Sequence, residues 1–414
     1  MGAVTPASTP ASSPASTPVT HPLFPPSLPA PPQPQPPSPA SPSTARALND
    51  RLALELLQEH GPLTATQLKA MTGLSRPSVA DLVDRLTGAG LIEVAGESGA
   101  QRRGPNAKLY GIVAGRAHLA ALDVRTDRVT AVVTDLLGHP LAEAALPAGA
   151  PQDAVAALLD TARRAGAGAL HTVVVGAPGL VSPATGELRD TTGLPAWHRD
   201  LVGALQRGLS AAVVVENETN LAALAEQRLG VARDLDSFVL LWLGAGVGAA
   251  VVLDGRLRRG ASGGAGEIGF LPVPGTGGLP SAADCGGGFH ALVGREAVTA
   301  LAREHGFAGS AEEAAAGGAG EAFLEALAER LALGAAAAAA ILDPGCVVLA
   351  GELGRAGGPA LAARVAHRLA GLTPVPTEVR ATALGDPAVL AGGRLAAREA
   401  AQAVLFDTSG SAGV

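Results

Sequence analysis

Residues 213–226, VVVENETNLAALAE, limit the possible folds more than any other stretch of this sequence. The valines suit a buried strand, and the polar cluster around Glu218 leads directly into a helical pattern. A strand followed at once by a helix is typical of α/β sheets, whose chemistry lies in loops at the carboxyl ends of the strands. Three roles are therefore open for Glu218: a general base, a pocket residue, or part of the cap of the next helix.

The composition restricts both the core and the partners. The 414 residues suffice for two or three domains, and with 47% apolar but only 2% aromatic residues the core must consist of alanine, valine and leucine. The net charge of −7 excludes a general polyanion binder, so contact with nucleic acid requires a local basic patch. Two cysteines, Cys285 and Cys346, cannot form a disulfide framework, which favours a cytoplasmic protein.

No segment predicts secretion or a membrane partner. The N-terminus lacks a basic stretch followed by a continuous apolar core, so we expect no signal peptide. The most apolar run, LALGAAAAAAILDPGCVVLAG, is broken by Asp343-Pro344-Gly345 and fits a helix, a turn and a strand in a soluble core. Residues 1–43, rich in proline, serine and alanine, predict a disordered tail, and residues 407–414 predict a flexible one.

Residues 44–112 contain three short helical patterns followed by a hairpin pattern. Thr64 and Gln67 predict a capping box at the second helix, and Ser75 is the predicted N-cap of the third. Two strands around a glycine-rich loop follow, and this order describes a winged helix-turn-helix. We expect the first helix to bury one face of leucines, Leu48, Leu52, Leu56 and Leu57.

Residues 113–406 alternate strand hairpins with crossover helices, which indicates an α/β domain. Five segments resemble the ROK (repressor, open reading frame, kinase) family in order and spacing: VGAPGLVSPATGEL, LPAW, VENETNLAALAE, LGAGVGAAVVLDGRLRRGASGGAGEIG and LDPGCVVLAGELG. The front segment resembles the MarR-type winged helix of ROK-family transcription factors. The resemblance implies a winged helix-turn-helix followed by a two-lobed, actin-like (ribonuclease H-like) sugar-kinase fold.

The winged-helix pattern predicts that the protein contacts a double-stranded DNA operator. Its third helix would enter the major groove with its N-terminal end, where arginine is the commonest reader of guanine. The wing carries two arginines suited to the negative potential of the minor groove. A protein-interaction module is the alternative, since the segment also contains acids such as Asp81 and Glu97. The candidate DNA-binding residues are Ser75, Arg76 and Ser78 on the helix and Arg102 and Arg103 on the wing.

The phosphate loops of a ROK kinase are only partly present. The resemblance implies an Asp-x-Gly-Gly-Thr loop after the first strand, but residues 123–128 contain no glycine, and we expect the bulky side chains and Asp127 to occupy the phosphate position. The second loop keeps Gly244 and Gly246, a nucleotide-loop remnant or simply a tight turn. Glu218 stands where the family has its catalytic aspartate, and its extra methylene can misplace the carboxylate enough to cost about a hundredfold in rate.

The metal site of the family is reduced as well. Phe270 stands where the resemblance implies a histidine that contacts sugar and ligates zinc in many members. The cysteine cluster is reduced to Cys285, with Asp284 and His290 nearby, which falls short of a sulfur-rich tetrahedral site. We therefore expect no bound metal and no cofactor, with Cys285 a remnant.

These patterns favour a DNA-binding transcriptional regulator, most simply a repressor, over an enzyme. The expected effector is a sugar or sugar derivative, and a homodimer or tetramer is expected because symmetric operators pair two half-sites. Two alternatives stay open: an ATP-dependent, glucokinase-like sugar kinase, and an effector-free scaffold that only dimerises. The candidate effector-binding residues are Gly179, Asn217, Glu218 and Glu267.

Overall fold

The computed structural model describes the following parts of the chain: residues 42–98, 107–189, 195–283, 286–384 and 388–407. The two wing arginines, Arg102 and Arg103, lie outside the described residues, and so does Cys285. The predicted tails lie outside them too, except for residues 42, 43 and 407. No helix in the described ranges is both long enough and apolar enough to cross a membrane.

The front of the chain forms the predicted winged helix-turn-helix. β3 lies between β1 and β2 and pairs antiparallel with both. The capping box is confirmed, because Thr64 Oγ1 accepts from the Gln67 N–H at 3.2 Å and Gln67 Oε1 accepts from the Thr64 N–H at 2.9 Å. The elements are α1 (Pro42–His60), β1 (Leu63–Thr64), α2 (Ala65–Thr72), α3 (Arg76–Gly88), β2 (Ile92–Ser98) and β3 (Ala107–Ile112).

The predicted buried face of α1 was partly wrong. Leu48 and Leu52 are exposed by 60% and 39%, whereas Ala53, Leu54 and Leu57 are buried. The rotation of the helix is set by Asp50, whose carboxylate is buried and lies 2.6 Å from the Arg85 guanidinium of α3. This ion pair turns the face at positions 50, 53, 54 and 57 inward, at the spacing of one helix side.

The first lobe of the larger domain is built on a five-stranded sheet of order β6-β5-β4-β7-β8. Strands β4, β5 and β6 are antiparallel, and β4, β7 and β8 are parallel. Its elements are β4 (His118–Val124), β5 (Val129–Asp135), β6 (Pro140–Leu146), α4 (Pro151–Arg164), β7 (Leu170–Ala177), α5 (Trp197–Gly208), β8 (Ala212–Asn217) and α6 (Glu218–Leu229).

The second lobe repeats this sheet pattern, with the order β11-β10-β9-β12-β13. β9, β10 and β11 are antiparallel, and β9, β12 and β13 are parallel. Such a duplicated arrangement is the predicted actin-like fold. Its elements are β9 (Phe238–Leu243), β10 (Val247–Leu253), β11 (Arg256–Arg258), α7 (His290–Val293), α8 (Arg295–Glu304), α9 (Ala311–Glu313), α10 (Glu321–Leu342), β12 (Cys346–Ala350), α11 (Gly351–Leu369) and β13 (Glu378–Ala381).

The last helix, α12 (Ala388–Leu405), returns to the first lobe and packs against α6, β4 and β7. Close packing requires glycine here, because a Cβ at Gly392 would overlap the carbonyl oxygen of Leu221 in α6. Beyond α12, Phe406 is buried in an apolar cluster that also contains Leu54 and Leu57 of α1 and Leu221 of α6. One continuous core therefore joins the winged helix to α6 and α12.

Candidate functional site

The tip of α3 carries the three predicted DNA-contacting residues of the helix. Ser75 is the N-cap, and its hydroxyl accepts from the Ser78 N–H at 3.3 Å and lies 2.8 Å from the Ser78 hydroxyl. Pro77 lies in the first turn, where a missing N–H costs nothing. Arg76 is exposed. The tip therefore presents one cation and two hydroxyl groups on a capped helix end, which suits phosphate oxygens and base edges.

The cleft between the lobes contains a cavity of about 190 Å³, here called the cleft cavity. All four residues predicted for effector binding line it, and so does Gly246 of the second glycine loop. Gly244 is not among the lining residues and lies against the carboxylate of Glu352 instead. The structure thus brings together residues from β8, α6 and the loops around β10. The four predicted residues are Gly179, Asn217, Glu218 and Glu267.

The structure at the junction of β8 and α6 shows which residue caps helix α6. Asn217 is the N-cap, because its Oδ1 accepts from the N–H groups of Thr219 at 2.8 Å and Asn220 at 3.4 Å. Its Nδ2 donates one hydrogen bond, to the Gly179 carbonyl at 3.1 Å. Glu218, considered in the sequence analysis as part of the cap, is instead the first helical residue.

Glu216, immediately before the cap, anchors this junction. Its carboxylate accepts from Asn220 Nδ2 at 2.8 Å, from the Asn217 N–H at 2.9 Å and from Arg259 Nε at 2.7 Å. The sequence interpretation missed Arg259. A carboxylate that ends a strand of valines requires a donor or a cation when buried, and this requirement was the available signal.

Glu218 is the most perturbed acid of the cleft cavity. Its Oε2 is buried and has no hydrogen-bond partner among the described residues. Burial raises the pKa of Glu218 from its usual range to about 7, and the positive charge of Arg125 only partly opposes this. Glu267 also lines the cavity, and desolvation raises its pKa as well. Two carboxyl groups with raised pKa in one cavity are typical of a functional site.

Three further wall residues complete the cleft cavity. Trp242 lies near the end of β9, before the second glycine loop. Phe270 is the last residue of a short 3-10 helix, Ile268–Phe270, and His290 begins α7. Phe270 was noted in the sequence only as a lost histidine, and Trp242 was missed. The signal for Trp242 was its place directly before the glycine loop at the end of a buried strand. Together these rings give the cavity apolar walls beside its carboxyl groups.

Arg125 lies in the glycine-free loop at residues 123–128, where the family resemblance implied the first phosphate loop. Its Nε donates to Asp123 Oδ2 at 3.0 Å, its guanidinium lies 5.1 Å from the Trp242 ring centroid, and Nη1 lies 3.8 Å from Glu352. Arg125, Trp242 and Glu352 border a second, narrow cavity of only about 20 Å³. Asp127, which we expected at the phosphate position, has a side chain that is 77% exposed and lies beside Arg128.

The described residues do not fit a nucleotide at this position. Arg125 and Glu352 both line the narrow cavity, and Glu352 places a carboxylate at the start of α11, where a phosphate would need N–H donors. For zinc, the described ranges hold no group of three or more histidine, cysteine or acidic side chains that could bind a metal. Cys285 and Asp284 lie outside those ranges.

Comparison with protein families identifies both domains. The ROK family profile matches residues 119–400, and a MarR family profile matches residues 48–104. The chain belongs to the ROK family. Its winged helix and two-lobed domain therefore have the architecture that the sequence pattern predicted.

Curated relatives include both regulators and an enzyme. The N-acetylglucosamine repressor of Escherichia coli O157:H7 is 28% identical over 239 residues, which cover 55% of this chain and 58% of that protein. The xylose repressor of Bacillus subtilis (strain 168) is 26% identical over 55% of this chain and 61% of that protein. The bifunctional enzyme NanE/NanK of Brucella suis biovar 1 is 39% identical over 36% of this chain and 28% of the enzyme. The match thus spans less than two thirds of the relatives' length.

Solved structures show the same fold in both functional classes. A ROK family transcriptional regulator, described as a homolog of the E. coli MLC protein, superposes with a TM-score of 0.69 at 20% identity and covers 88% of this chain and 97% of that chain. A ROK hexokinase from Thermus thermophilus has a TM-score of 0.56 at 25% identity, and the match covers 69% of this chain and 99% of the hexokinase chain. The fold therefore does not separate regulator from kinase, and the site must decide.

Proposed function

We propose that the protein is a DNA-binding transcriptional regulator, acting as a repressor, whose ROK domain binds a sugar or related small effector. The observation that carries this proposal is a winged helix packed through one continuous core onto a domain that contains the cleft cavity. Two curated relatives, named N-acetylglucosamine repressor and xylose repressor, support it. Such a regulator would work in the cytoplasm, on the operator itself.

The DNA contact would come from the tip of α3 and the wing. With a net charge of −7, the protein as a whole repels the DNA backbone, so binding depends on locally placed cations. Arg76, with Ser75 and Ser78 beside it, supplies such a cation at the end that enters the major groove. Arg102 and Arg103 would add minor-groove contacts. A homodimer or tetramer would place two such tips on paired half-sites.

Loss of kinase activity is supported by Arg125 rather than by Glu218. A carboxyl group with a pKa of about 7 can still act as a base near neutral pH, so Glu218 by itself does not exclude catalysis. The Arg125 and Glu352 side chains, however, both line the narrow cavity, and its volume of about 20 Å³ would leave no room for a triphosphate between them. We therefore infer that the protein does not transfer phosphate from ATP.

Effector binding can reach the winged helix through two helices. α6 begins at the cleft cavity with Glu218, and its last turn carries Arg228, which lies 3.5 Å from Glu399 of α12. One turn further along α12, Gln402 Nε2 donates to Gln58 Oε1 of α1 at 2.7 Å. A shift of α6 would thus be passed through α12 to α1. Coupling of this kind requires a different effector affinity in the two states.

The decisive test is genomic footprinting with the purified protein, followed by quantitative binding to the fragments found. We expect salt-sensitive binding to a few symmetric sites, weakened in Arg76→Ala and unchanged in Arg303→Ala, which removes an exposed arginine from α8. Protein that protects no genomic fragment would refute the regulator. A coupled ADP-release assay with common hexoses tests the kinase alternative, which would be favoured by turnover that disappears in Glu218→Gln.

A further inference from the structure

A further cavity, of about 720 Å³, lies between the winged helix and the larger domain and is here called the interdomain cavity. Its walls come from α1 of the winged helix, from the last turn of α6 and from α12 with the adjoining Phe406. A cavity of this volume is large enough for a small molecule. None of the described residues that line it also lines the cleft cavity, so the two cavities are separate.

Arg398 of α12 is a half-buried cation in the wall of this cavity. Its Nε is buried and donates to no described residue. Its stem lies against the turn after β5, because a Cβ at Gly138 would be 3.7 Å from Arg398 Cδ. Burial lowers the pKa of Arg398, which the charge of Glu399 opposes. The positive charges of Arg228 and Arg394 lower it further. Buried charges in proteins are normally paired, and this guanidinium is an exception.

The acids that line the interdomain cavity do not neutralise this guanidinium. Glu55 lies 2.9 Å from Arg51, one turn earlier on α1. Glu399 lies 3.5 Å from Arg228 of α6. The side chain of the third acid, Glu59, is 74% exposed, so solvent screens its charge. The half-buried cation on α12 is therefore left for a negatively charged ligand.

The wall formed by α1 offers a hydrogen-bond donor as well. Gln58 Oε1 accepts from Gln402 Nε2 of α12 at 2.7 Å, which leaves the Gln58 Nε2 group as a donor. A ligand held by this amide and by the α12 guanidinium would contact both domains at once.

We propose that the interdomain cavity binds a small molecule through a phosphate group held by Arg398. The planar fork of a guanidinium matches two phosphate oxygens, and both bonds are charge-assisted. Phosphate fits better than carboxylate, because the charges of Arg228 and Arg394 near Arg398 favour a doubly negative group. This inference goes beyond the proposed function, since phosphate binding requires neither an effector in the cleft cavity nor an operator.

Calorimetric titration of the full-length protein at constant ionic strength tests the inference. The probes are inorganic phosphate, glycerol 3-phosphate and, as the uncharged counterpart, glycerol. We expect the phosphate-bearing probes to bind and glycerol not to bind. Arg398→Met keeps an apolar stem and removes the charge, so it should weaken phosphate binding at least about tenfold. Arg303→Met, at an exposed position of α8, should bind phosphate as the wild type does.

The melting temperature of Arg398→Met separates a binding role from a purely structural one. Without phosphate we expect the variant to melt at the wild-type temperature or above it, because the substitution removes a buried, unpaired charge. Added phosphate should raise the melting temperature of the wild type but not that of the variant. A variant that melts well below the wild type in phosphate-free buffer would show that the protein itself satisfies Arg398, which overturns the inference.

Three binding results would also overturn it: no binding of either phosphate probe, equal binding by Arg398→Met, or loss of operator affinity in Arg398→Met without phosphate. The last result would assign the arginine to the DNA backbone. Tighter binding of glycerol 3-phosphate than of inorganic phosphate would support the site with a phosphorylated metabolite as its ligand, and the reverse order would support it with the free ion. Operator binding is measured on the same protein, so failure of the phosphate site is distinguishable from failure of the regulator.

Discussion

The guanidinium of Arg125 lies 5.1 Å from the centroid of the Trp242 ring, and Trp242 lines both the cleft cavity and the narrow cavity beside it. A cation over an indole face is held by the negative quadrupole of the ring. Arg125 belongs to the first lobe and Trp242 to the second. The pair therefore ties the two lobes together beside the narrow cavity.

Removing Arg125 should destabilise the protein. In Arg125→Ala, the buried carboxylate of Asp123 loses its ion pair, and we expect a loss of roughly 3 kcal/mol in the free energy of unfolding. Urea denaturation followed by tryptophan fluorescence measures it. Burial already raises the pKa of Asp123, so the loss should be larger at neutral pH than in acid, where the carboxyl is protonated in both states. Arg128→Ala, at an exposed position, is the control and should change stability by less than about 0.5 kcal/mol.

Glu218→Gln should make the protein more stable at neutral pH but not in acid. Below about pH 4.5 the wild-type carboxyl is protonated in both folded and unfolded chains, and glutamine has the same shape. Because the folded pKa is raised to about 7, wild-type stability falls as the pH rises from about 4.5 through 7. The variant should then exceed it by up to roughly 3 kcal/mol, given about 1.36 kcal/mol per pKa unit. Unfolding curves from pH 4 to 8 that run parallel for both proteins would contradict the raised pKa.

Arg76→Ala should weaken operator binding by about 1–3 kcal/mol if its guanidinium reads a base edge. Fluorescence anisotropy with a labelled operator, measured at several salt concentrations, gives this value and also the salt slope. If Arg76→Ala instead reduces the salt slope and weakens binding equally on all DNA sequences, Arg76 contacts a phosphate rather than a base edge. Affinity equal to that of Arg303→Ala would show that the α3 tip does not touch DNA.

Gly392→Ala should disturb the contact of α12 with α6. The new methyl group would overlap the Leu221 carbonyl oxygen, so the helices must separate, at a cost of about 1–3 kcal/mol. Gly371→Ala is the matched control, since its methyl group would lie at an ordinary 3.4 Å from the Arg368 carbonyl oxygen. Thermal unfolding compares the two variants, and equal melting temperatures would be inconsistent with the tight packing of α12.

The sequence predicted the fold because its signals are local. The strand patterns and the capping box at Thr64 depend on neighbouring residues, and both are present. The predicted burial of Leu48 failed because the rotation of α1 depends on the Asp50 ion pair with Arg85, 35 residues away.

The sequence predicted which residues line the candidate site, but not which side chains they pair with. Family motifs indicated Gly179, Glu218 and Glu267, and the structure places them around one cavity. The position of Arg125 could not be read from its own loop, because it depends on Trp242 and Glu352 from the other lobe. Side-chain partners that join distant segments are set by tertiary packing, which local patterns do not record.

Because α6 is long, a small tilt at its cleft-cavity end would become a larger displacement at its other end, which contacts α12. The 12 residues of α6 make a rod about 18 Å long. If the Glu218 end were held by a bound molecule and the rod tilted by about 5°, the Arg228 end would travel roughly 1.6 Å. Displacements of 1–2 Å at helix contacts are the size of step that switches other allosteric proteins. A ligand that moves almost nothing at its own position could therefore still misalign a pair of recognition helices on the operator.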